Sequence, residues 1–474
     1  MYRIFWCLLA VLVVVLTACS AGGSPTATPT PIALLPGQAS PAAAPTDPGG
    51  SVVESTSQPA KGPTAGAAPP PTEADDPGVS PTSVRPPSGQ EAELDEITKR
   101  TADIRKLELK TEIKDDYLTR EQLRARLTAD LNEEYPPALA EQDELFLKAL
   151  GLLPPDADLR KTLLDLYTEQ IAGFYDPATD EMYLVSQGGE LGALEELTYA
   201  HEVVHALQDQ NFDLEKLIDE NKENDDADLA TRALVEGDAT VLQYAYLIAN
   251  PALLSQIREG LSGALPDSPL LDAAPPIISQ TLLFSYQEGQ IFASRLWREA
   301  GWAGVNAAYR RLPASTEQIL HPEKYDARDE PKPVRIADLA PTLGAGWKKG
   351  IENTMGEFQT RVLLAGGDSQ NGQTAETAAA GWGGDRYAMW TSGQDEVIVW
   401  RSVWDSENDA SEFVAALRSY DEGRSKAIYS KQGDGATVTT GEWSARILQS
   451  GANTTYVIAP NAELANKAAA QASR

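Results

Sequence analysis

The stretch that most constrains this chain is Thr198-Tyr199-Ala200-His201-Glu202-Val203-Val204-His205-Ala206-Leu207. It sets two histidines and a glutamate, in the pattern HExxH, inside an apolar run. Residues four apart lie on one face of a helix, one turn above the other. His201 and His205 therefore aim two imidazoles at one point. Glu202 sits beside the first and is placed to take a proton from water there. Leu194, Leu197, Val203, Val204 and Leu207 spread over the helix surface, which predicts that it is buried. Buried imidazoles and a carboxylate are costly without partners, and a divalent metal supplies them. The whole chain has 3 histidines, so the pairing is no by-product of histidine abundance. Zinc suits this ligand chemistry, held by three protein ligands with a fourth position open.

The chain begins Met1-Tyr2-Arg3, followed by an apolar run from Ile4 to Leu16. A membrane-spanning helix needs about 20 such residues, so the run reads as a signal-peptide core. It ends in Leu16-Thr17-Ala18-Cys19, which resembles the bacterial lipobox. Residues 1–18 are then a lipoprotein signal peptide, and Cys19 carries lipid. The other cysteine, Cys7, lies in the removed segment, so the mature body has no disulfide. Residues 19–90 are rich in Pro, Ala, Thr, Ser and Gly. Such a segment buries too little apolar surface to offset its chain entropy, and it reads as a disordered tether. The expected location is the cell envelope, on the outer face of the cytoplasmic membrane, anchored through Cys19. A net charge of −31 argues against nucleic acid as a partner.

Residues 91 to 133 read as charged helix, with further helices from Ala138 to Leu150 and Leu159 to Gln170. Ile171–Tyr175 and Glu181–Val185 flank a Pro-containing turn and read as a β-hairpin. A strand just before such a helix lines the cleft in zinc peptidases, so 181–185 is expected to pair with extended substrate.

Past an acidic spacer comes Leu234-Val235-Glu236-Gly237-Asp238-Ala239, in a second helical run. Glu236 can supply the missing carboxylate, or it can form an ion pair with Arg232 at i−4. Here the sequence resembles the gluzincin zinc metallopeptidases, in which HExxH is followed by a glutamate ligand on a later helix. It looks like exported bacterial members with a His-Ala-Leu-Gln-Asp-Gln continuation and a Leu-Val-Glu-Gly-Asp-Ala ligand helix. The resemblance implies His201, His205 and Glu236 as ligands of one zinc per chain and Glu202 as general base. It implies hydrolysis of a peptide or protein substrate. The alternative is a surface lipoprotein that holds zinc as a scaffold or ligand-binding protein. Metzincins differ, since they need Gly and His where this chain has Gln208 and Asn211.

Asp238 and Asp209 are candidate acceptors for the ligand imidazoles, or else solvated carboxylates. Gluzincins use a His or Tyr to stabilise the tetrahedral oxygen; His321, Tyr286 and Tyr325 are the candidates, with His321 placed as catalytic or else as a structural imidazole fixing the loop before Pro322. The fold class expected is α+β. A mainly helical zincin-like domain with a short hairpin or sheet spans 91–330, and a small α+β accessory domain spans 331–474. In the latter, Trp347 to Leu364 reads as helix, and the strands form a sheet covered by helices on one face. Gly381-Trp382-Gly383-Gly384 reads as a tight turn locked by an Asp385–Arg386 pair.

Overall fold

The computed structural model describes residues 90–185, 191–260, 268–366 and 372–473. Residues 1–89, where a signal peptide, a lipid-bearing Cys19 and all but the last residue of a tether are expected, lie outside them. All described residues belong to one compact unit. Among them, no helix is long and apolar enough to cross a membrane.

Mixed α+β architecture results, as expected. The amino-terminal half is helical around a three-stranded sheet. Its strands are β1 (Lys114–Leu118), β2 (Gly173–Asp176) and β3 (Glu181–Val185), in the order β1-β3-β2. The region read as helical and charged holds two helices, Glu91–Arg105 and Arg120–Glu134, with the unexpected strand β1 between them. Thr119 stops the chain from running straight through. Its hydroxyl accepts from Gln122 N while the Gln122 side chain accepts from Thr119 N, a capping box that starts the second helix afresh. The hairpin forms as expected, with Asp180 taking the left-handed conformation (φ 56°) in its turn. The expected role of 181–185 fails. β3 pairs along its length with β1 on one side and β2 on the other, so it has no open edge for a substrate strand.

Three long helices build the centre. The motif helix is Ala193–Phe212, the carboxylate helix is Asp225–Ala249, and the long helix Pro276–Ala308 breaks at Ala300–Gly301. Carboxylate helix and long helix cross with their backbones in contact. A Cβ on Gly237 would stand 2.1 Å from the Gly289 carbonyl oxygen, and one on Gly289 would stand 2.1 Å from that of Ala233. Only glycine permits so close a crossing.

The carboxy-terminal half is a seven-stranded antiparallel sheet. In spatial order its strands are β4 (Lys348–Asn353), β5 (Trp382–Ser392), β6 (Asp395–Trp404), β10 (Asn453–Ala459), β9 (Ser444–Ser450), β8 (Gly435–Thr439) and β7 (Ser430–Gln432). Side chains alternate between two faces, and both are covered. Tyr387, Met389, Ile398 and Trp400 join the main core with Phe413 and Leu417 of the helix Glu407–Ser425. Ala388, Trp390, Val397 and Val399 pack on Ala465, Ala468 and Ala469 of the terminal helix Ala462–Ala472. The expectation of one covered face is corrected by that second layer. Trp347 to Leu364 is likewise not one helix: β4 precedes the helix Gly356–Ala365. Nor is the glycine run a free turn. It opens β5, with a register shift between Trp382 and Gly384. Asp385 accepts from Met355 N, Gly356 N and Trp382 Nε1, while Arg386 pairs with Glu352.

The boundary expected near 330 falls in a stretch, 329–339, without regular secondary structure. Helical half and sheet share one hydrophobic core across it. Phe146 stacks on Tyr387 at 4.1 Å, and Phe284 packs on Phe358 at 4.2 Å.

Candidate metal centre

Leu197 through Gln208 of the motif helix are all buried. A continuous buried run on a helix means that other elements cover it all round. His201 and His205 therefore leave water together. Their rings stand edge to face with centroids 4.8 Å apart. Against them lies Glu236, whose Oε2 is 3.2 Å from His201 Nε2 and 3.6 Å from His205 Nε2. One ligand atom from each of the three lies within 4.8 Å of the others, and all three residues are buried. The Gly237–Gly289 crossing sets this geometry, since it seats the carboxylate helix one residue from Glu236. Arg232, the surface partner that Glu236 could have had, pairs instead with Asp228 at 2.9 Å.

The electrostatics follow from burial and mutual charge. Burial alone would raise the Glu236 carboxyl, but His205 and His201 outweigh it and hold it down at about 2. Burial alone would depress the His205 imidazole, and Glu236 more than offsets it, pushing it up to about 9. Burial pushes the Glu202 carboxyl up to about 7 against the pull of both histidines. Glu202 Oε2 accepts from Tyr175 N of β2 at 3.0 Å.

The donor set fits a divalent cation. His205 Nε2 and Glu202 Oε1 are buried and have no hydrogen-bond partner among the described residues. Two imidazole nitrogens and a carboxylate oxygen converge beside them, which is zinc-ligand chemistry. Desolvated polar atoms without partners are costly, and a cation with its water meets that deficit.

The remaining candidates separate. Tyr286 comes to the cluster, its ring 6.3 Å from that of His201. His321 is engaged elsewhere: its Nε2 meets Glu357 Oε1 at 2.8 Å, and its backbone links two short helices. Tyr325 donates its hydroxyl to the Arg311 carbonyl and packs edge-on against Phe292. Asp209 accepts from Tyr175 Oη and Leu214 N instead of from an imidazole. Asp238 is also not a direct acceptor. It takes both Arg105 Nε and Arg105 Nη2, at 2.7 and 2.8 Å, together with Tyr309 Oη and Gln208 Nε2. Four donors saturate it.

The imidazole acceptor is a residue the sequence reading passed over. Gln208 Oε1 lies 2.8 Å from His205 Nδ1. The available signal was spacing: Gln208 is three residues beyond His205, on the same helix face. Arg105, about a hundred residues away, gave no local signal.

The profile of a family described as a domain of unknown function, DUF8575, matches residues 347–469, about a quarter of the chain and wholly within the sheet half. No curated protein and no solved structure matches.

Proposed function

We propose that this chain is a zinc-dependent peptide hydrolase of gluzincin type, held outside the cytoplasmic membrane by lipid on Cys19. The buried convergence of His201, His205 and Glu236 carries the reading. These residues would hold zinc, which when bound supplies a Lewis acid and lowers the pKa of water.

The chain's own groups do the rest. Tyr175 N–H holds Glu202 Oε2, leaving Oε1 to receive a proton from the attacking water. Glu202 then returns that proton to the leaving amine. Its raised carboxyl suits both directions of transfer. Tyr286, beside His201, is the candidate donor to the oxygen that gains negative charge.

The test is metal content of the full-length chain together with cleavage of an unstructured protein such as casein. One zinc per chain is expected. Glu236→Ala should lose it. Glu202→Gln should keep it while turnover falls about 10²–10⁴-fold. Zinc retained in the Glu236 variant removes that ligand, and full turnover in the Glu202 variant removes the general base.

A further inference from the structure

Behind His205 runs a buried relay that ends on the first described helix. His205 Nδ1 meets Gln208 Oε1 at 2.8 Å. The Gln208 amide nitrogen donates twice, to the Val235 carbonyl at 3.0 Å and to Asp238 Oδ2 at 2.9 Å. Asp238 is gripped in turn by Arg105, and neither side chain is exposed at all. Arg105 also lies over the Trp302 ring at 4.6 Å.

The relay fixes which way the amide points. An amide has two donor hydrogens on one end and an acceptor oxygen on the other. Turned over, Gln208 would set its oxygen against the Val235 carbonyl and the Asp238 carboxylate. Three acceptors would then face one another in a buried site, with no proton among them. With the nitrogen committed to those acceptors, Oε1 must face His205. An oxygen there accepts only from an N–H, so the His205 proton is placed on Nδ1. When the ring gives up its second proton to take a cation, Nε2 is the nitrogen that offers its lone pair, on the side of Glu236.

We propose that Gln208 is the positioning residue of this site: clamped by Asp238 and Val235, it selects the Nδ1–H tautomer of His205 and so presents Nε2 as the metal-ligating atom. The proposal rests on the hydrolase reading for the metal itself but not for the tautomer. Neutral imidazole is otherwise an ambiguous ligand, since either nitrogen can carry the proton. Outer partners of this kind typically contribute tenfold to a hundredfold in metal affinity.

The test uses the full-length chain, wild type and Gln208→Leu, with Gln208→Glu as a second variant of matching size. Long-range proton–nitrogen NMR of the imidazoles reads the tautomer directly, and three histidines keep assignment simple. Zinc affinity is read by competition with a chromophoric chelator. With zinc bound, or above the imidazole titration, the wild type should show the His205 proton on Nδ1 alone. Zinc affinity should fall about ten- to hundredfold in Gln208→Leu. It should fall in Gln208→Glu too, because a carboxylate cannot donate to Val235 and repels Asp238. A neutral His205 with its single proton on Nε2 in the wild type overturns the proposal without any variant having to fold. So does zinc bound equally tightly by folded Gln208 variants. A wild type that takes up no zinc sinks the hydrolase reading instead. The metal-free spectrum, recorded above the imidazole titration, then decides the tautomer by itself.

Discussion

At the scale of single residues, the buried pair of Arg105 and Asp238 is the costliest commitment in the site. Both are fully desolvated, and the guanidinium meets the carboxylate through two hydrogen bonds. Such a pair need not stabilise relative to apolar residues, but removing one partner leaves a buried uncompensated charge. Arg105→Met should therefore destabilise by about 3–5 kcal/mol, measured by urea unfolding. Tyr309→Phe, which removes one neutral donor to the same carboxylate, should cost nearer ~1 kcal/mol. Adding Asp238→Asn to Arg105→Met should recover much of the first loss, because the stranded charge goes with it. A double variant as unstable as the sum of its parts would refute this account.

At the scale of elements, the site depends on one helix crossing. Gly237 and Gly289 let the carboxylate helix and the long helix touch backbone to backbone; Glu236 on the one helix meets both histidines, and Tyr286 on the other comes up to His201. Gly289→Ala has no room for its methyl, so the helices must separate. Overpacking of this sort costs about 1–3 kcal/mol, and here it also shifts Glu236. The variant should lose both stability and zinc affinity, read by denaturation and chelator competition, while Gly260→Ala, where the added Cβ meets nothing within 4 Å, should change neither. The sequence displayed part of this arrangement. The HExxH spacing and the apolar faces around it put His201, Glu202 and His205 on one buried helix, because helical periodicity is a local property. It could also offer Glu236, since a carboxylate in an apolar helix demands a partner. It could not show that Gly237 answers Gly289, that Arg105 answers Asp238, or that β1 slots in parallel beside β3. Those pairings join segments distant in sequence, and each end alone looks ordinary. β1 is the clearest case. Lys-Asp-Asp-Tyr-Leu carries three charges in five residues and becomes a strand only because its neighbour offers an edge.

At the scale of the whole molecule, the helical half and the sheet half are fastened through the start of the carboxylate helix itself. Asp226 lies near the amino-terminal end of that helix and is buried against the sheet half. It accepts from Thr316 N and Thr316 Oγ1, and the backbone at Gly356 approaches so closely that any Cβ there would overlap its oxygen. Gly356 sits at φ 72°, in the left-handed region, so glycine is required twice over. Burial, with lesser contributions from Asp385 and Glu357, pushes the Asp226 carboxyl from 3.8 up to about 7. The folded protein thus keeps a proton that the unfolded chain gives up. Between pH 3.8 and about 7 the unfolded state binds fewer protons, so stability falls as pH rises across that window and stays reduced above it. A carboxamide in place of this carboxyl cannot ionise, yet it keeps the oxygen that Thr316 bonds. Asp226→Asn should therefore melt higher than wild type in mildly alkaline buffer, and the advantage should shrink steadily as the pH approaches ~4. Thermal unfolding of both proteins across that range measures it. A variant that instead melts lower than wild type, with a deficit that grows as pH rises, would show that Asp226 is ionised in the fold and that its carboxylate helps hold the two halves together. An advantage that closes on acidification would show that the junction is built around a neutral acid.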